Sequence, residues 1–227
     1  MYVAERDSDI TQIAAVDIHT RKTFSTFVKP SIDIPEDVVA ITGISCDGAK
    51  EMYYRGEHVK SLDVKEGLTE FFNFLGPETV LLGHNVRSFD SQVLFNAATS
   101  CGLLDTAKDK IKGFIDTFLL FESEKKGLPI PSYKQPDLFS YFCPSESYVA
   151  HNALSDVHGL LSILEKAKVT EQEMASRSVC TEHILSSMCA TRNKKLLRSS
   201  WEPLTSMGVM PSIKANYDKS CTPLFKQ

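Results

Sequence analysis

The segment Val80-Leu81-Leu82-Gly83-His84-Asn85-Val86-Arg87-Ser88-Phe89-Asp90 constrains this chain more than any other. The run from Thr79 to Leu82 is short and apolar, as expected of a parallel strand buried on both faces. Gly83-His84-Asn85 interrupts it, and the pattern predicts a helix from about Ser88 to Ser100 with Asp90 in its first turn. An acid at the C-terminal end of a buried strand lies where open α/β sheets place ligands. Taken alone, Asp90 equally suits the dipole of the helix start. His84 and Asn85 taken alone equally suit a turn.

A second segment, His151-Asn152-Ala153-Leu154-Ser155-Asp156-Val157, repeats the theme. Asp156 opens an amphipathic helix carrying Val157, Leu160, Leu161, Ile163 and Leu164, and His151 precedes it in the incoming loop. Each residue again has a plain structural reading: helix capping for Asp156 and a hydrogen-bonded loop histidine for His151.

The remaining pattern predicts a hairpin of strands over Ile10–Ile18 and Phe24–Val28. A short helix over Glu36–Ile41 stops at Gly43, and a polar loop spans Cys46–Ser61. A helix over Leu62–Leu75 ends at Gly76-Pro77, and Phe114–Phe121 reads as a strand. Helices over Asp137–Phe142 and Ser155–Lys168 follow. From Thr170 the character changes: a helix near Glu171–Cys189, the basic run Arg192-Asn193-Lys194-Lys195-Leu196-Leu197-Arg198, then a polar tail. The basic run taken alone reads as a solvated helix face. Strands alternating with helices imply a mixed α/β sheet flanked by helices.

At 227 residues and 42% apolar content, one globular domain with an appended tail is expected. The net charge of −4 supplies no global attraction for a polyanion, so a nucleic-acid partner would need a local basic patch or bound metal. The cysteines Cys46, Cys101, Cys143, Cys180, Cys189 and Cys221 show no C-x-x-C pair and no zinc-site spacing. Nothing near the start reads as a signal peptide, and no apolar run approaches the roughly 18 residues of a membrane span. A soluble intracellular protein without a membrane partner is expected.

Together, G-H-N-x-x-x-F-D and the later H-N-A-x-x-D resemble the second and third motifs of the DEDDh 3′–5′ exonucleases. The resemblance spans roughly residues 9–168 and takes in Asp9–Val16, Ile41-Thr42-Gly43-Ile44, Phe114-Ile115-Asp116-Thr117 and Ser132-Tyr133-Lys134. It implies a ribonuclease H-like fold, with a mixed central sheet and helices on both faces. It also divides the chain into an exonuclease-like domain over residues 1–168 and a helical extension with a polar tail over residues 169–227. Within the superfamily the sequence is most similar to the three-prime repair exonucleases and to the exonuclease-like domain of fish promyelocytic-leukaemia-protein-like proteins. That similarity slightly favours a nuclear over a cytoplasmic location.

By matching motifs, the resemblance implies Asp90 and Asp156 as metal ligands and His151 as general base. His84 and Asn85 would support the second motif without being ligands. Two Mg²⁺ or Mn²⁺ ions are expected for the family, held about 3.5–4 Å apart by carboxylates from different elements. A histidine side chain titrates near neutral pH and can take a proton from the attacking water. The implied partner is a single strand or a 3′ end of DNA or RNA.

The family's remaining two acids come from a D-x-E motif on a first strand, upstream of the segment matching Asp9–Val16. In this sequence Met1 falls inside the following loop, and Glu5, Asp7 and Asp9 do not close an apolar strand. The first strand is thus expected to be missing or truncated. Two carboxylates face the ions in place of four, giving weak or single-ion binding and weak or absent hydrolysis. The alternative reading is a non-catalytic module that keeps the fold to bind nucleic acid or protein.

Overall fold

The computed structural model describes residues 9–191. The expected hairpin forms from β1 (Gln12–Val16) and β2 (Thr23–Val28), paired antiparallel from Gln12↔Phe27 to Val16↔Thr23. Its turn is held by the Asp17 carboxylate, which accepts the amides of His19 and Thr20, with Arg21 in the left-handed region.

After α1 (Glu36–Thr42), the segment expected as a polar loop is a meander of β3 (Ile44–Cys46), β4 (Met52–Tyr54) and β5 (Glu57–Val59). Arg55 and Gly56 both have positive φ (52° and 86°), as a two-residue hairpin turn of the primed kind requires. The polar composition conceals these strands because their outer residues face water.

The two-residue strand β6 (Ser61–Leu62) lies parallel to β2, and α2 (Val64–Phe74) follows. In α2, Leu68, Phe71 and Phe72 are buried, and the Glu66 carboxylate reaches back to the Asp63 amide.

The strand β7 (Thr79–Gly83) pairs parallel with β8 (Ile111–Asp116), across α3 (Asp90–Ser100) and α4 (Leu104–Lys110). The strand expected to reach Phe121 stops at Asp116. The Asp116 side chain accepts the Phe118 amide and so caps α5 (Thr117–Glu124). After α6 (Gln135–Phe142), α7 (Ala153–Lys166) starts from the Asn152 cap.

The long C-terminal helix expected near Glu171–Cys189 is divided. A short α8 (Glu171–Ser176) leads to β9 (Ser178–Cys180), which pairs antiparallel with β8, and a further helix α9 occupies 181–191. The extension after residue 168 therefore adds a strand to the β7–β8 sheet. Ile184 is buried in the main core, with Leu185 and Met188 packed against it.

The described residues form three sheets, ordered β1-β2-β6, β3-β4-β5 and β7-β8-β9. The first and third share both covering layers. On one face, Leu68, Phe71 and Phe72 of α2 and Phe95 of α3 pack with Ile13 and Val28 as well as with Phe114. On the other, Leu160, Ile163 and Leu164 of α7 pack with Ile115 and Leu82, and α7 also contacts β1. Gln12 accepts the Ala153 amide at 3.0 Å. The two sheets thus lie side by side in one layer, with β1 and β7 as terminal strands. Each has one edge without a strand partner among the described residues. The apolar strand expected to be buried on both faces is parallel to β8 but only partly covered, with Val80 39% exposed.

Docking of β9 requires close backbone approach at Gly113, where an added Cβ would meet the Val179 carbonyl oxygen at 2.5 Å. Gly113→Ala is expected to cost about 1–3 kcal/mol by forcing β9 outward. Thermal unfolding should show a melting temperature lowered by several degrees. Hydrogen exchange should show protection lost first at 178–180, and unchanged protection there would contradict this packing.

Candidate active site

The β7–α3 turn is built around a residue that the sequence did not single out as functional. Asp116, 2% exposed at the end of β8, accepts the amides of Asn85 (2.9 Å), Arg87 (3.1 Å) and Phe118 (3.0 Å). A buried carboxylate satisfied by several backbone donors is a rigid anchor. It fixes the Gly83-His84-Asn85 turn, where Asn85 takes a positive φ of 62°. Its only sequence signal was position, an acid closing an apolar strand.

His84 is held by the neighbouring residue, with Nδ1 2.9 Å from the Thr117 hydroxyl. Thr117 in turn donates to the Gly83 carbonyl at 3.3 Å. Nε2 is left buried with no hydrogen-bond partner among the described residues. Burial pushes the imidazole below its ordinary pKa, opposed by the Asp116 carboxylate and the Tyr133 backbone. His84 is thus a neutral packing residue, edge-on to Phe118, in keeping with support of the turn.

The structure brings Asp90 and Asp156 into electrostatic range of each other. Burial among protein atoms pushes Asp90 up to about 6, against its own backbone amide, and the Asp116 and Asp156 carboxylates add to the rise. The Asp90 side chain is nonetheless solvent-exposed, so the surrounding protein forms the walls of an open recess. Water in the recess tempers the shift without reversing it. Asp156, half-buried in the first turn of α7, is likewise pushed up to about 6 by desolvation, while the charge and backbone amide of His151 pull it down.

His151 is exposed in the loop before α7, with a positive φ of 64°. The Ser155 hydroxyl accepts the Val149 amide, and Gln135 donates to the Asp156 carbonyl at 2.7 Å. Tyr148 borders the same place, stacked on Phe139 at 4.4 Å. Desolvation and the Asp156 charge push its hydroxyl up to about 12.

Two mutually repelling carboxylates in a recess suit a cation. They do not amount to a full two-metal site, and among the described residues no three His, Cys, Asp or Glu side chains converge as metal ligands. Asp116 is committed to backbone amides. Asp9 is committed to the backbone and hydroxyl of Ser31 and to the Ile32 amide. Glu5 and Asp7 lie outside the described residues.

A mixed sheet layered between helices, with acids at the ends of its strands and helix starts, defines a ribonuclease H-like exonuclease fold. Solved structures with the same fold include E. coli exonuclease I in complex with a dT13 oligonucleotide, with a TM-score of 0.54 at 19% identity over 71% of this chain. Another is exonuclease I from Methylocaldum szegediense, with a TM-score of 0.56 at 18% identity over 74% of this chain. The matched regions cover 37% and 38% of those two chains, so this chain spans well under half of either. No curated protein matches significantly by sequence. The profile of the RNase T exonuclease family matches residues 3–164, and the chain belongs to that family.

Two outcomes follow from the site. Asp116→Ala leaves three backbone donors without their acceptor and should cost about 1–3 kcal/mol in urea unfolding. For Asp90 and Asp156, folded-state pKa values above the unfolded value of 3.8 mean that the native state holds extra protons between about pH 4 and 6. Their relative stabilisation is present below pH 4 and is lost as pH rises through about 6. Asp90→Asn and Asp156→Asn should therefore raise the melting temperature at pH 7.5 in metal-free buffer, with no gain at pH 4. An equal gain at both pH values would contradict the electrostatic origin.

Proposed function

We propose that this domain is a 3′–5′ exonuclease core acting on nucleic-acid ends, with Asp90 and Asp156 as ligands of divalent metal and His151 as general base. The observation that carries the reading is the meeting of the second and third motifs, separate in sequence, at one recess. There the Asp156 charge adds to the proton affinity of Asp90, and His151 acts on Asp156. The family acts with divalent ions, Mg²⁺ or Mn²⁺ in our reading, which would activate water and stabilise the leaving oxygen.

The chain's own residues do the rest. His151, in an exposed loop next to Asp156, is placed to take a proton from the attacking water. His84 and Asn85 hold the turn that aims Asp90. Oligonucleotide complexes of exonuclease I support a single strand or 3′ end as the partner. Kinship closest to the three-prime repair exonucleases and the promyelocytic-leukaemia-protein-like group is part of the proposal, supported by the helical extension after the third motif.

The family's other carboxylate pair sits on a strand bearing D-x-E. The edges of β1 and β7 that have no strand partner among the described residues, in one layer between the same helices, are where such a strand would fit. With only Asp90 and Asp156 of the described carboxylates in the recess, hydrolysis should be weak or absent. The commitment of Asp116 to backbone amides also favours a second reading, a binding module that keeps the fold.

The test is a 3′-labelled single strand incubated with the protein and Mg²⁺ or Mn²⁺. The 227-residue chain should shorten it slowly at most, and supplying an in-frame upstream strand with D-x-E should raise the rate. Asp156→Ala should abolish shortening, and His151→Ala should slow it by about 100-fold or more. Activity that survives Asp156→Ala would refute the site. No activity even with the strand supplied would assign the domain to binding.

A further inference from the structure

A cleft of about 280 Å³ opens beside the β7–α3 turn, away from the residues assigned above. One wall is Arg87, Ser88 and Gln92, and the other is His183, Ser187 and Thr191. The last three recur every fourth residue along 181–191, so they share one face of α9. Its volume lies near the lower end of small-molecule sites, roughly 300–1,000 Å³, which suits a nucleotide unit better than a large cofactor.

Its charge is what marks the cleft. No carboxylate lines it, although the chain carries a net charge of −4. The backbone of Arg87 is engaged by Asp116, Ser91 and Gln92. Its guanidinium makes no ion pair among the described residues. Gln92 and Thr191 donate to backbone carbonyls, which leaves the guanidinium beside the Ser88 and Ser187 hydroxyls as the set that can hold a phosphate. Leu119, 37% exposed, adds an apolar surface against which a base or sugar can rest.

Location supplies the connection. Ser88 lies two residues ahead of Asp90, so a strand held in the cleft has a short path along the β7–α3 turn to Asp90. At its far end is Thr191, and the basic run Arg192-Asn193-Lys194-Lys195-Leu196-Leu197-Arg198 that follows it in sequence lies outside the described residues.

We propose that this cleft is a phosphodiester subsite, in which Arg87 and the polar face of α9 hold the single strand that leads to Asp90 and Asp156. The subsite rests on the nucleic-acid reading above and gives the C-terminal extension a role in it. It also supplies the local attraction that the overall charge withholds.

The test separates binding from hydrolysis. Affinity of the full chain for a fluorescein-labelled oligo-dT is followed by anisotropy in EDTA, across a series of salt concentrations. Wild type should bind. Arg87→Ala should weaken binding about 10-fold and lower the salt slope by about 0.7, the value for one phosphate contact on a single strand. Ser187→Glu, on the opposite wall, should weaken it without touching Arg87, which guards against a folding artefact of the first variant.

Equal binding by wild type, Arg87→Ala and Ser187→Glu overturns the subsite. No binding by wild type overturns it as well, as does competition by polyglutamate as effective as that by unlabelled oligo-dT. None of these bears on the exonuclease reading, which stands or falls on the metal-dependent shortening assay with Asp156→Ala.

Discussion

The carboxylate of Asp116 ends β8 and receives three backbone amides from two different turns. One of these starts α5, and the other two belong to the loop that delivers Asp90. A buried charge is costly unless its oxygens are filled by donors, and here the donors are the backbone groups that the two turns must satisfy. The anchoring therefore works in both directions: the turns solvate the carboxylate, and the carboxylate fixes the turns. Thr117, the next residue, extends the link to His84 and the Gly83 carbonyl. The candidate site is held from beneath by a carboxylate whose hydrogen bonds are committed to the backbone.

The second constraint is the division of the sheet. Two three-stranded sheets lie in one layer and share the same helices on both faces, yet β1 and β7 do not pair. Among the described residues, each leaves a row of backbone donors and acceptors without strand partners. The recess that exposes Asp90 while surrounding it with protein belongs to this divided layer. The same opening accounts for carboxyl groups that titrate near 6, since protein replaces part of their water and only two charges face each other.

Much of this was legible in the residues. The β1–β2 hairpin, α2, β7 and α7 follow the apolar periodicity closely, and the two motifs indicated the fold that the structure shows. The turn chemistry was harder to see. The meander over residues 44–59 is hidden because three-residue strands with polar outer faces carry almost no periodic signal. The end of β8 is hidden because Phe118, Leu120 and Phe121 continue an apolar run past the Asp116 cap. The split of the C-terminal helix is hidden because Ser178-Val179-Cys180 becomes a strand only when Gly113 is there to receive it.

The sequence by itself determined the strongly periodic elements and the residues of the two motifs, Asp90, Asp156, His151, His84 and Asn85. Periodicity and motif spacing are local properties, and the chain writes them directly. Only the tertiary structure decided how those residues are used. It showed that Asp116 is spent on backbone amides, that Asp9 is tied to Ser31 and Ile32, and that Arg87 opens into a cleft with α9. The physical reason is that hydrogen-bond commitment and burial depend on groups far apart in sequence. A carboxylate's availability is set by which donors reach it first, and that is known only once the chain has folded.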